Sequence, residues 1–320
     1  NISMTVDEEI QLGPAYLCPG GPNSALYRQA QRPDARNDLQ ELAENCFLRI
    51  TTYGDSDNRI EQVEQKTFDA LAVLRFVVPW HSLPEDKISN DASMVDVWGQ
   101  KKRSVFYFAD SSSGKYVGFN IGIGNHCSIW DEKLQYMQKV CGLDDVNFHF
   151  NRLQSPISRR VIQAIQIYDN ALRSDQDWLA FYQYVISIEC AIPANAQNKG
   201  KFAQCIQQTI YYGGHFRGGD NIPRIEGESN TEYWNRFVSH ILQGIGKFYI
   251  DRNTIVHGSM LDNGSFQMTL EKLRRIRVIA YNVIRSVARL AIEFKWYSPQ
   301  DSKKWYKKPI PSPKYFGDAE

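Results

Sequence analysis

The chain has 320 residues, 42% of them hydrophobic, and 37 Lys and Arg stand against 36 Asp and Glu. That length leaves room for two domains, and the apolar fraction excludes a disordered or coiled-coil chain. The net charge of +1 excludes a global electrostatic pull on nucleic acid, so any RNA binding has to come from a local patch. The six cysteines, Cys18, Cys46, Cys127, Cys141, Cys190 and Cys205, form no Cys-x-x-Cys pair. They read as reduced core thiols of a cytoplasmic protein. The sequence has no run of about 18 apolar residues to span a bilayer, which predicts no membrane partner. Asn1 to Ile10 is acidic where a signal peptide would be basic and then apolar. The chain opens at Asn1 without a methionine and enters a loop-like stretch from Gly13-Pro14 to Pro22, as a trimmed or partial chain would.

Residues 1–150 mix helical and strand patterns and predict a smaller α+β domain. Asp38 to Arg49 and Arg59 to Val78 carry helical spacing, the second with Val63, Phe68, Leu71, Leu74 and Val78 on a stripe that Pro79 ends. Ser104 to Phe108 and Tyr116 to Ile121 flank the polar segment Asp110 to Lys115, the form of a β-hairpin. Arg75 and His81 loosely echo an Arg-to-His spacing, but Pro79 and Trp80 between them mark a helix stop and a core corner. This half carries no catalytic pattern, and its expected role is regulatory or sensing.

From Ser155 onward the pattern is helical almost throughout. Ser155-Pro156 supplies an N-cap and a first-turn proline, leading into Val161, Ile162, Ile165, Tyr168 and Leu172. Asp177 to Ile192 follows, stopped by Pro193, then Phe202 to Tyr212, stopped by Gly213-Gly214. Ser229 with Glu232 forms a capping box that opens a helix predicted to run unbroken through Phe237, Ile241, Ile245 and Phe248 into Asp251 to His257, with Gly258 as its stop. Thr269 to Lys295 closes the set with Leu270, Leu273, Ile276, Ile279, Val283, Val287, Leu290 and Phe294. The expectation is a mostly α protein whose C-terminal part, residues 151–296, is a bundle of four or five helices.

Arg252-Asn253-Thr254-Ile255-Val256-His257 is the stretch that suggests a chemistry. A fixed guanidinium grips a phosphate bidentately, and an imidazole moves protons near neutral pH. Together they match RNA cleavage by a neighbouring 2′-hydroxyl, a reaction that requires no metal. Arg252 would stabilise charge developing on the phosphoryl oxygens, His257 would serve as general acid or base, and Asn253 would orient His257 or bind a phosphate oxygen. The competing reading is that Arg252 and His257 only complement the dipole and last carbonyls of a helix C-terminus. Glu189, in Ile186-Ser187-Ile188-Glu189-Cys190, falls in an apolar stripe where an unpaired carboxylate is costly. It calls for a cationic partner: either it orients Arg252 or His257, or it pairs with a structural Arg or reaches solvent at the bundle edge.

A helical bundle in which Arg-Asn-x-x-x-His-Gly ends the penultimate long helix resembles the HEPN superfamily of ribonucleases, and most of all its abortive-infection branch. The matching positions are Arg252, Asn253, His257 and Gly258, with Glu189 in support, and the resemblance covers roughly residues 155–296. It implies metal-independent endonucleolytic RNA cleavage by a toxin of anti-phage defence, at a site composed across a homodimer and without a cofactor. The implied partners are an RNA substrate, a second copy of the chain, and a regulatory protein or ligand acting on the N-terminal domain. Asn253 and His257 share a helix face while Arg252 lies about 140° away from His257, so one helix cannot aim both. Two copies meeting on a twofold axis would bring them to a common phosphate.

Lesser candidates remain. His215 and Arg217 lie in the aromatic, glycine-rich loop Tyr211 to Gly219, a form able to grip single-stranded RNA. The tail, residues 297–320, interleaves Lys303, Lys304, Lys307 and Lys308 with Trp305 and Tyr306, which suits RNA contact or a tail wrapped on its own domain. His126, His149 and His240 have no companions at metal-ligand spacing, and no metal site is predicted. The rival function is a non-catalytic HEPN-type module for binding or dimerisation in a larger complex.

Overall fold

The computed structural model describes residues 2–4, 8–21, 47–53, 56–77, 106–109, 116–119, 127–129, 131–174, 176–192, 199–213, 225–229, 232–233, 236, 244–256 and 268–307. The described residues are mostly helical and fall into two compact units, residues 1–143 and 144–320.

In the first unit, strands β1 (Ile2–Met4), β2 (Ile10–Leu12), β3 (Ala15–Cys18) and β4 (Phe47–Arg49) precede helix α1 (Ser56–Val77). Strands β5 (Phe106–Ala109), β6 (Tyr116–Phe119) and β7 (Cys127–Ile129) then lead to helix α2 (Asp131–Lys139). β2, β3 and β4 form an antiparallel sheet, β5 and β6 pair as the expected hairpin, and β1 pairs in parallel with β7.

Three expectations need correction in this unit. Phe47–Arg49, assigned to the end of a helix, is strand β4, because Cys18, Leu17 and Tyr16 of β3 offer a ladder that outweighs local propensity. Residues 38–46 of that assignment lie outside the described residues. The stretch after Gly13 is no simple loop, since Ala15 and Leu17 turn inward and Tyr16 outward along β3. Phe68, placed on the core stripe of α1, is 54% exposed. The end of α1 carries the burial instead, with Val73, Leu74, Phe76 and Val77 covered where the helix packs on β2 and β3.

The second unit begins within α3 (Leu143–Phe150) and continues through α4 (Pro156–Leu172), α5 (Asp177–Ala191), α6 (Lys199–Gly213), α7 (Ile245–Val256), α8 (Leu270–Glu293) and α9 (Pro299–Trp305). Two predicted start signals operate as read: Ser155 Oγ accepts from Ser158 N, and Ser229 and Glu232 bond reciprocally; Thr269, expected inside the last helix, is instead its N-cap, with Oγ1 accepting from Lys272 N at 3.1 Å. The helix expected from Ser229 to the Arg252 motif is interrupted at Gly244, whose φ of +83° suits glycine alone, and α7 begins afresh at Ile245. α8 is the axis of the unit. It contacts α4, α5 and α6, and Ile276, Ile279, Val283, Val287 and Leu290 are all buried along it. α7 packs on α5 and α6 and is tied to α8 by an Asp251–Lys272 ion pair at 2.8 Å. Leu270 and Phe294, at the two ends of the expected α8 stripe, are exposed.

α8 ends in a Schellman motif: Trp296 N donates to Ala291 O at 2.8 Å and Lys295 N to Ile292 O at 3.2 Å. The left-handed position, where glycine is usual, holds Lys295 at φ +53°, a conformation costing an L-residue about 1–2 kcal/mol.

His149 is buried between α4 and α8. One ring nitrogen lies 2.9 Å from Ala288 O, so Nε2–H donates there, and Nδ1 accepts from the Ser158 hydroxyl at 2.9 Å. Burial pushes its pKa below the ordinary 6.5, more than the Ala288 bond raises it. The unfolded chain therefore binds a proton that the folded one refuses, and stability is full above pH 6.5 and falls as pH drops below it. Urea melts from pH 7.5 to 5 should show that loss, and His149→Gln should flatten it. An equal slope in the variant would remove His149 as the cause.

Cys18, Cys141 and Cys205 are buried free thiols and Cys190 is partly covered. Burial pushes Cys18 and Cys205 up to about 11, which keeps them protonated and unreactive at neutral pH. Among the described residues no helix is long and apolar enough to cross a membrane.

Candidate active site

α5 carries Glu189 on its last turn and α7 carries Arg252 and Asn253 one turn before its end. The packing of α7 against α5 brings these groups together. Arg252 Nη2 forms an ion pair with Glu189 Oε1, and Nη1 donates to Asn253 Oδ1 at 2.6 Å. Tyr249, one turn earlier on α7, places its ring centroid 5.0 Å from the Arg252 guanidinium carbon, a cation–π contact. Glu189 thus finds the cationic partner its position called for, and that partner is Arg252.

The side chains of Arg252 and Glu189 are each 20% exposed, which sets the pair at the rim of the unit and open to solvent on one side. Arg252 has five N–H donors in a rigid fork. Two of them serve Glu189 and Asn253, and Nε is buried with no hydrogen-bond partner among the described residues. The guanidinium is therefore oriented, and with Nε closed off the two remaining Nη hydrogens are the donors left for an anion. The end of α5 is held by a second arginine, whose Nη2 donates to Glu189 O at 3.1 Å and Ile192 O at 3.3 Å; this is Arg160 on α4, which the sequence reading passed over. Its signal was only a basic residue on the partly exposed side of an amphipathic helix, too common to single out.

His257 and Gly258 lie outside the described residues, as do His215, Arg217 and Lys308. Lys303, Lys304 and Lys307 sit on α9 and just after it. The aromatic residues between them are committed to the core. Trp305 and Tyr306 are buried, Gln208 donates to Trp305 O at 3.2 Å, and Thr209 bonds Tyr306 Oη at 2.6 Å. Trp305 also meets the Tyr212 ring edge-on at 4.8 Å. The tail is wrapped on α6 as far as Tyr306, so these two rings cannot stack on RNA bases without unfolding it.

Among the described residues no three His, Cys, Asp or Glu side chains converge as a metal-ligand set. No family model, curated protein or solved structure matches this chain.

Proposed function

We propose that the protein is a HEPN-type endoribonuclease, cleaving RNA by attack of a 2′-hydroxyl on the adjacent phosphorus without a metal. The observation that carries this reading is Arg252: a guanidinium oriented by Glu189 and Asn253 and partly exposed, five residues before a histidine on the same chain segment. Arg252 binds the scissile phosphate and stabilises charge on its non-bridging oxygens. His257 takes the 2′-hydroxyl proton or delivers one to the departing 5′-oxygen, and the copy in a second subunit does the other. The 2′-oxygen forms the new bond to phosphorus, the bond to the 5′-oxygen breaks, and the products end in a 2′,3′-cyclic phosphate and a 5′-hydroxyl. Ile250 and Val256 expose apolar surface on α7, suited to a second copy of the chain. A nuclease of this kind harms its own cell unless gated, and residues 1–143 are the part available for a regulatory protein or ligand.

A second reading has its own support. Glu189 compensates the charge of Arg252, and a compensated pair is what a clip between two helices in a non-catalytic binding or dimerisation module would need.

The deciding measurement is cleavage of single-stranded RNA by the purified full chain in excess EDTA, with analysis of the product ends. The expected result is cleavage that survives chelation and leaves 2′,3′-cyclic phosphates. Cleavage that stops on chelation, or leaves 5′-phosphates, overturns the mechanism. If the isolated protein is silent, growth of cells expressing wild type beside His257→Ala decides, and equal growth favours the binding module.

A further inference from the structure

A pocket of about 220 Å3 opens where the end of α8 meets the start of α4, away from Arg252 in the chain and on different helix ends. Its charged lining residues are Arg152 and Lys295, and no carboxylate lines it. Arg152 holds its guanidinium 4.3 Å from the Phe148 ring centroid, and among the described residues neither cation has an acidic partner. The floor is internally satisfied. His149 and Ser158 bond each other, and Ser155 Oγ donates to Tyr297 O at 3.2 Å. The cations available to a ligand in this pocket are thus Arg152 and Lys295, and the aromatic wall is formed by Trp296, which is buried, and Tyr297, which is 55% exposed.

We propose that this pocket binds a nucleoside monophosphate, the phosphate between Arg152 and Lys295 and the base against Tyr297. Two unopposed cations beside an aromatic face match that pairing of a dianion with a planar ring. Lys295 carries a further argument. It occupies the left-handed end position of α8, where glycine would relieve the backbone, and binding gives a reason for a lysine to be there.

The consequence separates binding from folding. Calorimetry with adenosine 5′-monophosphate, adenosine and inorganic phosphate on the full chain should show binding of the monophosphate, weaker binding of phosphate, and none of adenosine. Lys295→Gly should weaken the monophosphate at least about tenfold, as loss of one charge-assisted contact does, while raising the melting temperature by about 2–4 °C. Arg152→Ala should weaken it similarly. No binding by the wild type overturns the proposal, as does adenosine binding as well as its monophosphate, or affinity unchanged in both variants. A lower melting temperature for Lys295→Gly would make the lysine a packing residue and overturn the argument from its conformation.

Discussion

Alanine at His257 is expected to lower RNA cleavage by about 10²–10⁴-fold, the usual worth of a positioned general acid or base. Alanine at Arg252 should cost about 10²–10³-fold, as loss of a donor aimed at developing charge does. Single-turnover cleavage with saturating protein measures both without interference from product release. Glu189 is a positioning residue in this scheme, because it acts through the guanidinium it holds. Glu189→Gln keeps the shape and an acceptor oxygen but removes the charge that orients the fork, and kcat should fall about tenfold. The pH profile should keep its shape, since His257 supplies the titrating group. A helix clip behaves otherwise: Glu189→Gln would lower the melting temperature and leave kcat alone. Cleavage by Arg252→Ala within about threefold of wild type would remove the guanidinium from the mechanism.

The largest effect on stability is expected at Gly213, in the last turn of α6. A Cβ built there runs into the Ser286 hydroxyl and Cβ on α8 and lies 3.3 Å from the Ser286 Cα. The hydroxyl can rotate away, but the Cβ and backbone of a buried helix cannot, so Gly213→Ala forces α6 and α8 apart. Overpacking of this kind costs about 1–3 kcal/mol, and thermal unfolding should shift down by about 2–4 °C for each kcal/mol in a unit of this size. The second variant Ser286→Gly should make Gly213→Ala less costly, a coupling that a double-mutant cycle reads directly. Additive effects would show that the two helices do not meet at this point.

Gly213 serves two purposes, of which the sequence shows one. In sequence, Gly213-Gly214 carries the signature of a terminator, and α6 does end at Gly213. The absent side chain has a second purpose, visible only against Ser286. Gly244 shows the opposite error. The apolar positions on both sides of it fit one helical period, so periodicity joined them, whereas a backbone turn at positive φ divides them. Periodicity records which face is apolar and cannot see a break in the backbone at a single residue.

What the sequence by itself determined is local: roughly where α1, α4, α5, α6 and α8 run, the Ser155 cap that begins α4, the pairing of β5 with β6, and that Glu189 needed a cation. Each of these follows from contacts within about a helical turn or a tight hairpin, where the chain is its own template. Only the tertiary structure decided the rest. Phe47–Arg49 became a strand because residues 16–18 present a free edge, and the cation for Glu189 became Arg252 because the packing of α7 on α5 closes a gap of 63 positions. His149 found its acceptor 139 positions away on α8, and Trp305 and Tyr306 were taken from the tail into the core of α6. Partners so distant in sequence meet only after the apolar faces have chosen how to pack, and that choice is made by burial summed over the whole unit, to which no short stretch of residues holds the key.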